Sequence, residues 1–325
     1  MRLNFRASRF FPLLLLACSV HLSAQDMPAR VEAIRLLERA NAVSLLANPP
    51  NYKQEETFRS YGLDGTSRNG QFSGIFGKDS NWEEFVFGDY HMIQLSFPDR
   101  MVQSEYQPSP PETLELEKLV PIGLGRFDES DTILSIAPAT LFGRPAKCIH
   151  FETVNGRTRE SNEICVDAEL GTLVRWNVEE DLIENTEFFR FEGILVPARI
   201  RHYIHGKLRM EIEQKFSVIE GPIDWAALTP PNSQIFNACD RYLRPIVEST
   251  PQPASAGPGP WYDVKVHAVI GQNGHVREAS VLPAGKPELE QQAIGIVSEW
   301  VFSPASCDGR PISINANLVV HFPPQ

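Results

Sequence analysis

The chain has 325 residues, with 41 acidic and 30 basic side chains and a formal net charge of −11. This balance argues against nucleic-acid binding, because a phosphate backbone requires clusters of lysine and arginine, and it provides no polybasic patch for anionic lipid. The hydrophobic content of 42% supports packed cores, and the length is sufficient for two domains.

The amino terminus predicts export from the cytoplasm. Three arginines precede an apolar run over residues 10–20, which is shorter than the roughly 18 residues of a membrane-spanning helix. Residues 1–24 are therefore interpreted as a secretory signal peptide that is cleaved after Ala24. A second interpretation is lipid attachment at Cys18, because residues 15–18 approximate the lipid-attachment box of bacterial lipoproteins.

Residues 28–47 predict one amphipathic helix. Apolar positions such as Ala33 and Leu37 recur at helical spacing, and charged residues occupy the other face. Pro49 and Pro50 follow and end the helix, because proline cannot continue it. We expect this helix to cover a sheet.

From Tyr52 to about Ser217 the pattern predicts strands, with period-two alternation and turns of glycine, asparagine or aspartate. Few helical segments separate these strands, so the expected fold class is α+β, with a large curved antiparallel sheet under the amino-terminal helix. Aromatic residues supply its bulky apolar faces, either as ordinary core or as the lining of an apolar cavity. The candidate cavity residues are Phe72, Phe76, Trp82, Phe85, Phe87, Trp176, Phe189 and Phe191.

Four cysteines remain beyond the signal peptide, and an even number in an exported protein favours disulfides. Cys148 and Cys165 flank two predicted strands that are joined near an Asn-Gly pair at residues 155–156. Asn-Gly is a strong hairpin signal, so we expect the two cysteines to lie opposite one another and to form a bond. By elimination, Cys239 pairs with Cys307.

A linker is predicted over residues 248–260, which are rich in proline, serine and glycine. It separates a β domain over residues 28–240 from a small module over residues 261–325. In this module the predicted order is a strand, a turn at residues 273–274, a second strand, a short helix and a closing strand.

The small module resembles the C-terminal domain of TonB-family energy transducers. The resemblance rests on "VKVHAVIGQNGHVREASVL", on "WVFSPA" from Trp300, on "DGRPI" from Asp308 and on "NLVVHF" from Asn317. In that family the domain pairs edge to edge with the exposed plug segment of outer-membrane receptors. The resemblance therefore implies an envelope protein as the partner, strand addition as the binding mode and the periplasm as the location.

Strand addition needs an unpaired strand edge, which offers main-chain donors and acceptors to a guest strand. We expect this edge on the first or the last strand of the module. The candidate residues are Val264, Val266, Ala268, Asn317, Val319 and His321. One departure from a transducer is the length of the linker, since about 13 extended residues at roughly 3.1 Å each reach only about 40 Å.

The middle region resembles the half-barrel of the LolA/LolB lipoprotein-sorting superfamily. This resemblance rests on "AIRLLERAN", "GKDSNWEEFVFGDYHMIQLSFP" and "VDAELGTLVRW". In that superfamily a curved sheet covered by helices holds acyl chains. The resemblance implies an alternative function, in which the chain carries a lipid or a lipoprotein in the half-barrel.

No pattern of catalytic residues is present in the sequence. It has no GxSxG nucleophile elbow, no phosphate loop and no CxxC pair for zinc. His202 and His205 are three residues apart in a strand pattern, so they are expected on opposite faces and not as joint metal ligands. Acidic runs such as residues 179–181 are expected on solvated surfaces. We therefore predict a non-enzymatic protein that needs no cofactor and no metal.

Overall fold

The structure is a computed structural model. It describes residues 26–323 except 46–47, 63–64, 105–109, 111, 114–115, 117–118, 120–126, 128–129, 156–157, 179–180, 238, 240, 252, 254–260 and 282–285. The predicted signal peptide with Cys18 and Ala24, the turn at residues 156–157 and most of the predicted linker lie outside the described residues.

The first element is a helix, α1, which spans Asp26–Ser44. Its residues Ala33, Leu37 and Ala40 are buried, as their spacing of three to four residues along one helix face requires. Arg30 donates a hydrogen bond of 2.8 Å to a main-chain oxygen of the sheet. The helix therefore covers the sheet by an apolar stripe and is tied to it by a polar contact.

Thirteen strands form one antiparallel sheet, with the order β13-β5-β4-β3-β2-β1-β12-β11-β10-β9-β8-β7-β6. The strands are β1 (Tyr52–Tyr61), β2 (Ser67–Phe76), β3 (Asn81–Phe87), β4 (Tyr90–Ser96), β5 (Arg100–Gln103), β6 (Asp131–Leu141), β7 (Arg144–Asn155), β8 (Thr158–Asp167), β9 (Leu173–Val178), β10 (Asp181–Phe191), β11 (Ile194–Ile204), β12 (Lys207–Val218) and β13 (Gln234–Asn237). Strands β1 to β5 and strands β6 to β12 each form a meander, and pairing of β1 with β12 joins the two.

The two faces of this sheet differ because side chains alternate along each strand. On the helix-covered face, Phe58 packs with aromatic residues of β2 and β3 and with Leu116 and Leu119, which have helical backbone. The Phe58 ring lies over Gly70 of β2, where a Cβ atom would come within 2.0 Å of it. The opposite, open face carries polar residues such as Thr57 and Arg59, which are exposed.

A smaller module follows the large sheet. Its strands are β14 (Tyr242–Leu243), β15 (Ile246–Ser249), β16 (Tyr262–Ile270), β17 (Val276–Val281), β18 (Val301–Ser303), β19 (Ser306–Cys307), β20 (Arg310–Pro311) and β21 (Ile314–Phe322), and its helix α2 spans Pro287–Ser298. The turn between β16 and β17 contains Gly274, whose φ of +79° and whose approach to the main-chain oxygen of Phe302 leave no room for a side chain.

The expected fold class is confirmed: a large antiparallel sheet carries an amino-terminal covering helix, and a small β module with one helix follows it. The start of the predicted linker differs from expectation. Glu248 and Ser249 belong to β15, which pairs with β18 beyond the predicted linker. The proline-rich composition after residue 250 gives no information about β15, whose four residues precede it and pair with the module.

Two disulfides connect the four cysteines. Cys148 of β7 and Cys165 of β8 are directly opposed in register, with their Cα atoms 4.0 Å apart. Cys239 and Cys307 are 68 residues apart in sequence and have Cα atoms 5.2 Å apart. The first bond clamps a hairpin, whereas the second holds the end of the large sheet to β19 of the module.

A buried carboxyl group lies on the helix-covered face of β1. Glu56 is 4% exposed, accepts a hydrogen bond of 2.6 Å from Gln54 through Oε1, and has no partner for Oε2 among the described residues. Burial raises the pKa of Glu56 to about 7, although the Gln54 hydrogen bond opposes this change. The neutral acid is therefore the form that the folded chain prefers.

Replacing Glu56 by glutamine should make the stability less sensitive to pH. The pKa of Glu56 is higher in the folded chain than in the unfolded chain, so the unfolded chain loses this proton first as pH rises. The wild-type chain therefore becomes less stable between about pH 4.5 and about pH 7. Across this window the unfolding free energy of Glu56→Gln relative to wild type should rise by up to roughly 3 kcal/mol. Urea unfolding at several pH values measures it.

The matched control is Glu55→Gln on the open face, where a hydrogen bond from Lys53 lowers the carboxyl pKa instead. This control should show no such rise. A difference in unfolding free energy between Glu56→Gln and wild type that stays constant from pH 4.5 to pH 7 would contradict the prediction.

Candidate partner-binding edge

The candidate site is built on the three-stranded sheet of the module, whose order is β17-β16-β21. Helix α2 packs on one face of this sheet through Leu289, Ala293 and Val297. These residues recur at spacings of four, so they form one apolar stripe on the helix. The sheet and helix share a single core, which fixes the position of β21 relative to β16.

The first strand of the module is not an edge. Val264, Val266 and Ala268 lie on β16, which pairs with β17 on one side and with β21 on the other. All three side chains are buried under α2. The prediction that these residues present a free edge is therefore wrong, because the closing strand returns beside the first one and occupies it.

The last strand retains an edge. In the part of the chain that the structure describes, β21 pairs only with β16 along its nine residues. Asn317, Val319 and His321 lie opposite His267, Lys265 and Asp263 in register, on the face away from α2. Their assignment to partner binding stays a prediction.

Polar contacts on that face fix the side chains of β21 against β16. His321 Nδ1 lies 2.8 Å from Asp263 Oδ1, and His267 Nδ1 contacts Asn317 Oδ1. Asn317 and His321 are exposed. Because these contacts connect directly opposed residues of two strands, they support the register of β21 on β16. In the described part of the chain, the outer main-chain groups of β21 form the boundary of the sheet.

The module contacts the end of the large sheet through a buried charge cluster. Lys265 of β16 donates a hydrogen bond of 2.7 Å to Asp181 Oδ2, and His202 Nε2 lies 3.1 Å from Asp181 Oδ1. Burial alone would raise the pKa of Asp181, but the His202 and Lys265 contacts outweigh it and hold that pKa well below its usual range. Asp181 therefore stays ionised and fixes the positions of Lys265 and His202.

An aromatic contact adds to this junction. The rings of His205 and Tyr262 stack with centroids 5.1 Å apart, and the Lys286 ammonium lies 4.0 Å from the centre of the Tyr262 ring. The cation attracts the negative face of the ring. Tyr262 thus lies between a loop of the large sheet and the start of α2.

The sequence gives no local sign of this junction. The acidic run at residues 179–181 was expected on a solvated surface, yet the Asp181 side chain is only 23% exposed. His202 contacts Asp181, whereas the ring of His205 stacks on Tyr262. No local signal relates Asp181 to Lys265, because 84 residues separate them.

The candidate cavity residues do not share one site. Phe72, Phe85 and Phe87 are 2–4% exposed and belong to the packed core around Phe58, whereas Trp176 packs in the separate core under α1. The prediction of one cavity lined by all of them is wrong, because two distinct groups of covering residues fill the face above them.

Trp82 lies on the other side of the sheet. It is opposed to Ile75 and Leu95 in register, so it points to the open face. The remaining candidates form an aromatic cluster on the helix-covered face, which we call the Phe216 cluster. Its members are Tyr52, Phe76, Phe189, Phe191 and Phe216, with ring centroids 4.8–5.9 Å apart.

Potential metal ligands gather in one place among the described residues, where Cys148, Glu163 and Cys165 have ligand atoms within 4.8 Å of one another. The two sulfur atoms are bonded to each other, so they are not thiolate ligands. In the described ranges, no helix has the length and apolar character required to cross a bilayer.

Comparison with known proteins identifies the module. Residues 263–324 match the family described as Gram-negative bacterial TonB protein C-terminal. The match confirms the resemblance seen in the sequence of this segment, which is less than half of the chain. No curated protein matches this chain.

Several solved structures are similar to the large sheet. An outer membrane lipoprotein-sorting protein domain from Vibrio parahaemolyticus is 9% identical and has a TM-score of 0.39, with 62% of this chain and 100% of that chain covered. A LolA superfamily protein from Nitrosomonas europaea is 9% identical with a TM-score of 0.37, and coverage is 61% and 97%. A DUF1329 family protein from Desulfovibrio piger is 12% identical with a TM-score of 0.35, and coverage is 62% and 98%.

The Asp181–Lys265 contact should stabilise the docked module. A double-mutant cycle of Asp181→Asn and Lys265→Met, measured by urea unfolding at pH 7, should give a coupling of about 1–2 kcal/mol, because both side chains are partly shielded from water. The folded pKa of Asp181 is lowered, so the coupling is present above about pH 4 and decreases as pH falls below it.

The control cycle uses Lys147 and Glu32, whose 2.8 Å ion pair is about half exposed on both sides. It should give a coupling near zero. Equal couplings for the two pairs would show that the junction contact contributes no more than a surface ion pair.

Proposed function

We propose that this chain is an exported, non-catalytic protein of the Gram-negative periplasm, and that it binds an extended segment of an envelope protein at the outer edge of β21. The observation that carries the proposal is the unpaired edge of β21 in a module that matches the TonB C-terminal family. The proposed partner is an extended segment of an envelope protein, such as the exposed plug segment of an outer-membrane receptor.

The geometry of the edge supports this proposal. Nine residues of β21 give a ladder long enough for a guest strand of several residues. Main-chain hydrogen bonds supply affinity in such complexes, and alternate side chains supply specificity. On the face away from α2, the neighbours of a guest strand would be Asn317, Val319 and His321, which together offer amide, apolar and imidazole contacts.

The junction with the large sheet leaves this edge accessible. Among the described residues, the polar and ring contacts to the large sheet come from Tyr262 and Lys265 of β16. The large sheet therefore holds the module from one side, while the guest would approach from another. In this proposal the large sheet holds the module in place, and the module provides the binding surface for the partner.

Site-specific photo-crosslinking tests the proposal. A photoreactive amino acid at Asn317 or His321 on β21 should crosslink to an outer-membrane protein in intact cells. The same group at Arg277, an exposed residue of β17, is the matched control because β17 is the other outer strand of the same sheet. A synthetic peptide with the sequence of the captured extended segment should compete with the adduct.

Two outcomes would overturn strand addition at β21. One is crosslinking from position 277 with none from positions 317 and 321. The other is an adduct that no extended peptide of the captured protein displaces.

A second candidate function is transport of a lipid or lipoprotein by the half-barrel, and the Phe216 cluster favours it. Tyr52, Phe76, Phe189 and Phe216 are only partly buried on the helix-covered face, so their rings offer an apolar surface at one end of the sheet. A carrier needs such a concave apolar lining.

Native mass spectrometry of the purified chain distinguishes this candidate. A carrier should retain acyl chains, and Phe216→Asp should reduce the bound fraction by at least about tenfold, because a charge in an apolar site is costly. Ser217→Asp, at an exposed position of the same strand that is opposed to Lys53 on the other face of the sheet, is the control and should keep the ligand. A chain that is persistently free of lipid would exclude the carrier function and leave the edge proposal unaffected.

A further inference from the structure

A small pocket lies where the hairpin of β1 and β2 meets the module. Its volume is about 240 Å³, and residues from four separate parts of the chain line it. Lining residues include Ser60, Thr66, Arg68, Glu112, Arg209 and Val281. Val281 is the last residue of β17, so the pocket belongs to both the large sheet and the module.

Arg209 is the unusual member of this lining. It lies at the irregular step between β11 and β12 and is only 2% exposed. Its Nε atom is buried and has no hydrogen-bond partner among the described residues. Burial lowers the pKa of Arg209, and the charges of Glu290 and Glu112 partly oppose this change. A buried cation in this position needs hydrogen-bond acceptors, because its desolvation is costly.

The nearby carboxylates do not supply those acceptors. Glu112 is paired with Arg68 at 2.5 Å, so much of its charge is already compensated. The charge of Glu290 acts on Arg209, and the Glu290 carboxylate accepts a hydrogen bond of 3.3 Å from the main-chain nitrogen of Lys286. In the described portion of the chain, neither carboxylate forms an ion pair with Arg209.

Arg68 provides a second guanidinium at the rim of the pocket. Its side chain is 63% exposed, and its guanidinium lies 4.5 Å from the centre of the Phe87 ring. Stacking on an aromatic ring holds the guanidinium plane while leaving its edge open to hydrogen bonding. One arginine thus lies inside the pocket and the other lies at its rim.

We propose that this pocket binds a small oxyanion, a phosphate or a carboxylate group, between Arg209 and Arg68. Guanidinium groups recognise such anions through paired hydrogen bonds, and the Ser60 hydroxyl on the wall offers one more donor. The volume is below the roughly 300–1,000 Å³ of pockets for drug-sized ligands. It therefore suits a free anion or the headgroup of a larger molecule.

Binding at this position links the two parts of the chain. The ligand would contact the β1–β2 hairpin and β12 on one side and the end of β17 on the other. An anion that binds the chain only when the module is docked on the large sheet stabilises the docked arrangement, and the stabilisation grows with the occupancy of the pocket. The pocket would then control how firmly the module is docked, independently of any guest at β21.

Calorimetric titration of the full exported chain tests the proposal, with inorganic phosphate, acetate and dihexanoyl phosphatidic acid as probes at constant ionic strength. Saturable binding is expected, with reduced hydrogen exchange in residues 60–68 and 276–281 together. Equal affinity for phosphate and the lipid would identify a free anion as the ligand, whereas tighter binding of the lipid would identify a headgroup.

Two variants make the test specific. Arg68→Gln removes an exposed side chain at the rim and should weaken binding by about tenfold or more, since a charge-assisted hydrogen bond is lost. Arg159→Gln is the matched control, because Arg159 is also exposed and pairs with a glutamate, Glu152, at 3.4 Å. The Arg159→Gln chain should bind the anions as tightly as the wild-type chain does. Absence of saturable binding to all three probes, or equal affinity in both variants, would overturn the proposal.

Discussion

The ladder between β1 and β12 is the constraint on which the rest of this molecule depends. It joins Tyr52 to Val218 and continues to Ser60 opposite Met210, so it unites two meanders that are otherwise separate in sequence. Because opposed residues share a face, this register places Phe58 beside Ile212 and completes the core beneath the helices. It also sets the hairpin of β1 and β2 next to the irregular step before Met210, where the module docks.

Polar groups contribute to how the module sits on the sheet. Asp181 joins Lys265 to His202, Tyr262 stacks on His205, and Arg209 faces the module from inside the junction. Such contacts are directional, so they select one orientation where an apolar contact would permit sliding. A junction of this kind fixes the module without covering its outer strand, which is the arrangement that a recognition surface requires.

Local sequence patterns predicted the helices and strands. They did not predict which strands that are distant in sequence lie next to each other in the sheet. Spacing of three to four residues revealed α1, and Asn-Gly between two cysteines revealed the hairpin of β7 and β8. By contrast, nothing near Val264 indicates that the closing strand returns beside it, and nothing near Trp82 indicates which face it occupies. Both depend on register between distant strands, and a shift of one residue would reverse each face. For the same reason, a short acidic run gave no sign of the Asp181 junction.

The bond between Cys239 and Cys307 has a consequence for biogenesis. Its two cysteines are 68 residues apart in sequence, and β14 and β15 likewise pair with β19 and β18. The segment after β13 therefore cannot be oxidised and paired until residues 301–307 have been synthesised. A product truncated before residue 307 would carry an unpaired thiol at position 239, which is open to mixed-disulfide exchange with other thiols and disulfides.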